Sequence, residues 1–178
     1  MTYNELLKLA RDAIKCELNR DKVKVNEEVK KKYCNKGACF VTLTINGELR
    51  GCIGSLQAHQ ELWRDIIDNS NNAAFNDPRF LPLSKNELDK TKIEISVLTT
   101  PKKLEYKDEK DLLDKIDKKM GLILKKGFCQ STFLPQVWEQ IPDKIEFLEY
   151  LSRKAGLSKN DWKDCEVWFY RVEKIKEK

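Results

Sequence analysis

The sequence predicts an α+β fold in which mainly antiparallel sheets are flanked by helices. Three observations lead there. Asn46-Gly47 sits between two apolar runs and closes a tight hairpin. A second hairpin pattern surrounds Lys125-Lys126-Gly127, far along the chain. Helical and strand-like segments also mix without a regular βαβ repeat.

The elements follow in order. Thr2-x-x-Glu5 is a capping box, and Leu6, Leu7, Ala10, Ala13, Ile14 and Leu18 recur at helical spacing, so a helix covers about 3–18. Residues 20–36 are charged and irregular, with a short helix near Asn26 to Lys31. Ala38 to Ile45 and Glu48 to Ser55 are the strands of the first hairpin. Gln60 to Phe75 is helical, with Leu62, Ile66, Ile67, Ser70, Ala73 and Ala74 on one face. It stops before Asp77-Pro78, because the residue before proline avoids helical angles.

Ser84-x-x-Glu87 boxes a short helix, and Lys92 to Thr99 is an alternating strand halted by Pro101. Asp111 to Ile116 is a short helix, and Gly121 to Leu124 and Phe128 to Phe133 form the second hairpin. Pro135 opens a helical turn through Val137 and Trp138. Asp143-x-x-Glu146 caps a helix that Gly156 ends, and Glu166 to Glu173 is a final strand.

Composition narrows the class. A chain of 178 residues fits one domain or two small subdomains. No apolar run reaches the ~18–20 residues of a membrane span. The acidic, helical start is no secretory signal, so the six cysteines are expected as reduced thiols in a cytoplasmic protein. They include no C-x-x-C pair and the chain has one histidine, His59, so no metal site or cofactor is expected. The net charge of +5 is spread over interleaved acids and bases, which argues against nucleic acid.

Arginine is scarce beside lysine, 7 against 27, which draws attention to Arg50 and Arg79. A guanidinium binds carboxylate or phosphate through two parallel hydrogen bonds. A two-residue turn at Asn46-Gly47 sets Leu43 opposite Arg50 and Val41 opposite Cys52, with Arg50 and Cys52 on one face. Leu49, Ile53 and Ser55 then share the other face with Phe40, Thr42 and Thr44. A guanidinium beside Val41 and Leu43 needs a cleft or a carboxylate, with Glu48, Glu94 and Asp77 as candidates. Gly51 and Gly54 flank the thiol and suggest a bulge, or close approach by backbone or ligand. A thiol beside a guanidinium is a better nucleophile. The same residues also suit a small buried thiol with packing glycines.

Other residues divide similarly. His59 follows the glycines closely but suits an exposed helix start better than a general base. Asp77 can brace its own loop through Arg79, or either can line the site. Glu94 can face solvent or meet Arg50.

The run Leu49-Arg50-Gly51-Cys52-Ile53-Gly54 resembles the signature hexapeptide of the AMMECR domain family, which includes AmmeMemoRadiSam system proteins. The likeness continues through Ala73-Ala74, Asp77-Pro78-Arg79-Phe80 and Pro82-Leu83, then Ile93 to Leu98. Thr132 to Trp138, Phe147-Leu148 and Lys154-Ala155-Gly156-Leu157 extend it over nearly the whole chain.

The resemblance implies a single AMMECR domain over 1–178, made of two subdomains with the hexapeptide facing a cleft between them. The larger would span about 1–104 plus 161–178, and the smaller, inserted one about 105–160. It also implies gene-neighbourhood partners, a Memo-type and a radical SAM protein, without naming a reaction. The function expected is an enzyme or enzyme component with Cys52 as nucleophile or contact. Arg50, Gly51, Gly54, Asp77, Arg79 and Glu94 would bind substrate. The alternatives are a non-catalytic adaptor and, third, a nucleic-acid-associated protein.

Overall fold

The computed structural model describes residues 4–178. Helix α1 (Asn4–Asn19) buries Leu6, Leu7, Leu9, Ala10, Ala13 and Ile14 along one face. Thr2, half of the expected capping box, lies outside the described residues. In α2 (Glu27–Lys32), the Asn26 side chain accepts the Glu28 amide and caps the first turn. Strands β1 (Lys36–Ile45) and β2 (Glu48–Gly54) meet at Asn46 and Gly47, whose φ angles of 54° and 86° suit a type I′ turn.

The short β3 (Gln60–Glu61) pairs with the start of β1 and leads into α3 (Leu62–Phe75), which ends before Asp77-Pro78 as expected. α4 (Lys85–Leu88) is boxed by Ser84 and Glu87, and β4 (Thr91–Leu98) runs antiparallel to β1.

After β4 the chain builds a second unit. It contains β5 (Lys102–Lys103), α5 (Glu109–Lys115), β6 (Gly121–Lys126) and β7 (Cys129–Phe133). A 3₁₀ turn at Pro135–Glu139, α6 (Lys144–Lys154), a 3₁₀ turn at Asp161–Asp164 and β8 (Glu166–Tyr170) complete it. Its sheet has the order β5–β8–β6–β7. The hairpin turn is Gly127-Phe128, with Gly127 at φ 59°, so β6 extends to Lys126, beyond the Leu124 end expected. In the core, Trp138 stacks on Phe147 with centroids 3.6 Å apart, and the indole donates to the Met120 carbonyl.

Finally β9 (Val172–Lys176) returns to the first sheet, whose order is β2–β1–β4–β9. The single terminal strand expected over 166–173 is therefore two strands in different sheets, broken at Arg171. The chain divides into one unit running up to Leu98 and resuming at Glu173–Lys178, and a second of Thr99–Val172.

In the first unit α3 packs on β1 and β2, and α1 packs on α3 and β4. Cys39, Val41 and Leu43 point from β1 into this layer, beside Ile93 and Ile95 of β4. Arg11 of α1 grips the chain end. Its Nε and Nη2 donate to the Glu177 carboxylate, and Nη1 and Nη2 to the carbonyls of Leu88 and Thr91. No helix among the described residues is long and apolar enough to cross a membrane.

Candidate functional site

The hexapeptide lies on β2, and one extra residue decides its geometry. Ile45 pairs with Glu48 and Thr44 with Leu49, but Leu43 pairs with Gly51. Arg50 is the unmatched residue of a β-bulge. Every side chain beyond it changes face. Cys52 is therefore opposite Thr42, not Val41, and its Sγ lies 3.3 Å from the Thr42 hydroxyl. Ile53 joins Val41 on the helix-covered side and packs into the core. The expected common face for Arg50, Cys52, Val41 and Leu43 is thus corrected. The Asn-Gly turn fixes only the pairs next to it.

Because β2 ends the sheet order, the amide and carbonyl of Cys52 have no strand beside them. Side chains from the Asp77-Pro78-Arg79 loop serve instead. Asp77 Oδ2 accepts the Cys52 amide at 2.8 Å, and Arg79 Nη2 donates to the Cys52 carbonyl at 3.2 Å. Asp77 also accepts from the Arg79 amide, Nε and Nη2. The Arg79 guanidinium, against the cost of burial and with help from those two amides, holds the Asp77 carboxyl well below the usual carboxylate range. The same hydrogen bond to Asp77 raises Arg79, against the cost of burial.

Arg50 turns to α4. Its Nε donates to Glu87 at 2.9 Å and its Nη2 to the Leu81 carbonyl at 2.8 Å. Its carboxylate partner is therefore Glu87, none of the three candidates read from the sequence. The Arg50 hydrogen bond, with the amide and hydroxyl of Ser84, holds the Glu87 carboxyl at about 2. The Phe80 ring lies near both guanidiniums, 5.9 Å from Arg50 Cζ and 5.5 Å from Arg79 Cζ.

The glycines answer to packing. A Cβ on Gly51 would sit 2.0 Å from the Ala73 carbonyl oxygen, so α3 reaches β2 only because that position has no side chain. A Cβ on Gly54 would meet the Phe40 ring at 2.3 Å. The Ala73-Ala74 block and the hexapeptide, read separately in the sequence, are two sides of one contact.

Behind the motif lies a polar cluster that sequence reasoning missed. Asp65 of α3 is 0% exposed. Its carboxylate accepts from the Cys39 amide, the Ser55 hydroxyl and Asn69 Nδ2. Asn69 also donates to the Cys39 carbonyl and to Ser55. The cluster ties the start of β1 and the end of β2 to the helix. Burial, then Asp65, pushes the Cys39 thiol far up, which keeps it protonated. The signal was available: Asp65 and Asn69 stand at i and i+4 beside Ile66 and Ser70, on the apolar face of an amphipathic helix.

Glu94 is opposite Thr42 on the other side of β1, so Cys52, Thr42 and Glu94 form one row across three strands. Lys174 approaches Glu94 at 3.6 Å. His59 is exposed and lies 3.1 Å from the Gln57 carbonyl. Among the described residues no group of three or more His, Cys, Asp or Glu is placed to hold a metal ion.

Comparison with known proteins agrees with this architecture. A protein of Aquifex aeolicus (strain VF5) is 41% identical over 174 residues, covering 96% of this chain and 89% of its own. One of Nanoarchaeum equitans (strain Kin4-M) is 39% identical over 171 residues, covering 94% and 95%. The crystal structure of an uncharacterised protein of Pyrococcus horikoshii superposes with a TM-score of 0.78 at 33% identity, covering 97% of this chain and 90% of that one. The AMMECR1 family model matches residues 7–175, a span that takes in the bulged hairpin, the Asp-Pro-Arg loop and the whole second unit. This chain belongs to the AMMECR1 family.

Proposed function

We propose that the protein is an enzyme, or a subunit of one, whose working group is the thiol of Cys52. The observation that carries this reading is the way the residue is held. Its amide and carbonyl are fixed by Asp77 and Arg79, its strand is fixed by α3, and among the described residues its Sγ is left to a single hydroxyl, that of Thr42. Immobilising a nucleophile before substrate arrives removes an entropic cost from the reaction. Thr42 orients the thiol, and Glu94, opposite Thr42 on β4, would be the group that exchanges protons with a bound substrate. Arg50 and Glu87 hold the loop that carries Phe80.

The partners we propose are the Memo-type and radical SAM proteins implied by the family. The test is competitive labelling of the native protein with limiting iodoacetamide. Cys52 is expected to react ahead of Cys16, Cys34 and Cys129, and Cys52→Ser to abolish activity of the reconstituted three-protein mixture. If exposed Cys34 is labelled first and Cys52→Ser retains activity, the thiol has no such role.

A second reading, an adaptor, has its own observation. Leu81 is 83% exposed and Leu49 is exposed too, one bonded through its carbonyl to Arg50 and the other adjacent to it in sequence. A partner docking there would cover both. Capture of the Memo-type or radical SAM protein that is lost in Leu81→Asp, with Cys52 labelling unchanged, would favour the adaptor.

A further inference from the structure

Two guanidiniums stand near Cys52, and their hydrogen bonding distinguishes them. The Arg50 side chain is 15% exposed and is committed to Glu87 and the Leu81 carbonyl. The Arg79 side chain is 54% exposed. Its Nε and Nη2 are bound to Asp77, and Nη2 also reaches the Cys52 carbonyl. Its Nη1 has no protein partner among the described residues. Asp77 is 2% exposed and already accepts four hydrogen bonds, so it has little left with which to draw Nη1 inward.

The outcome is a cation pinned on one edge with donors free on the other. Flexible cations pay rotamer entropy each time they bind; this one has paid it in folding. The sequence carries a matching feature. Between Lys36 and Lys85 there is no lysine, although the chain has 27, and Arg50, Arg64 and Arg79 supply every cation of that stretch except His59. Arg64 lies on α3, paired with Glu61 and packed over the Trp63 ring.

We propose that Arg79 is the anion receptor of the Cys52 site, taking a small oxyanion group, carboxylate or phosphate, on the molecule that meets the thiol. This inference rests on reading Cys52 as the working thiol. It moves the anion-binding role expected of Arg50 to a residue with unspent donors. The bound group would accept from Nη1 while Asp77 keeps the guanidinium plane fixed. The Phe80 ring beside Arg79 would line the approach.

The test compares two alkylating agents on the full chain, read at Cys52 by peptide mapping. Iodoacetate carries a carboxylate; iodoacetamide does not. The ratio of their rates at Cys52 is measured in the native protein and again after unfolding in urea, where Arg79 is no longer held beside it. The native ratio is expected to be roughly five- to tenfold higher, the size of one exposed charge-assisted hydrogen bond.

In Arg79→Gln that ratio should fall to the urea value. Should that variant not fold, protection on the wild-type chain decides. Acetate and inorganic phosphate are each expected to slow iodoacetate at Cys52, and the one that does so at lower concentration identifies the oxyanion. Equal native and unfolded ratios, or no protection by either anion, overturn the receptor even where Cys52 reacts quickly with iodoacetamide. Slow iodoacetamide labelling with a raised ratio overturns the thiol reading and leaves the receptor standing.

Discussion

At Gly51 a single methyl group would collide with a backbone oxygen, and backbone cannot swing away as a side-chain tip can. Gly51→Ala should therefore cost about 2–3 kcal/mol, at the upper end of overpacking effects, because α3 must lift from β2 to admit it. A urea titration checks this: the midpoint falls and the slope stays constant. The neighbouring Cys52 was legible as a residue of interest from its flanking glycines, but its surroundings were not. Its true neighbour, Thr42, depends on the bulge at Arg50; the flanking glycines pointed to a bulge or a close backbone approach, but not to which residue is left unmatched. The Asp65–Asn69 cluster was half legible: its place on the apolar face of α3 could be read from the spacing, but the groups it serves, the Cys39 amide and carbonyl, could not.

At the scale of elements, the segment from Asp77 to Leu88 behaves as a clasp on β2, fastened at one end by the paired Asp77 and Arg79 on the Cys52 backbone and at the other by Arg50–Glu87. Both carboxyls are depressed in the folded chain, Glu87 from its ordinary 4.5 to about 2. A depressed carboxyl contributes stability that is fully present above its unfolded value and is lost as pH falls through its folded one. The clasp should thus hold unchanged from neutral pH down to about 4.5 and weaken from there towards 2. Urea midpoints measured across this range should fall, and Glu87→Gln should show a shallower fall with a lower plateau. The capping role of Glu87 was readable from Ser84-x-x-Glu87. Its union with Arg50 was not, since the two are 37 residues apart.

For the molecule as a whole, the second unit begins and ends at one place. The Thr99 amide donates to the Arg171 carbonyl, and the Arg171 amide returns to the Thr99 hydroxyl, both at 2.9 Å. A unit with its own core and adjacent ends is suited to fold alone. Residues 99–172 produced separately should unfold cooperatively in urea; a broad, featureless transition would refute that autonomy. That hairpins dominate and that sheets are antiparallel was legible from turn chemistry. The split of the terminal strand was not, because Arg171 parts β8 from β9 without a proline or glycine to mark the break. The loop that grips Cys52 also has a consequence for behaviour in concentrated solution. A sheet that stops at an unpaired border invites another chain to continue it. Here a carboxylate and a guanidinium already occupy the outward amide and carbonyl of Cys52, so a visiting strand would find neither group free at that point of the border.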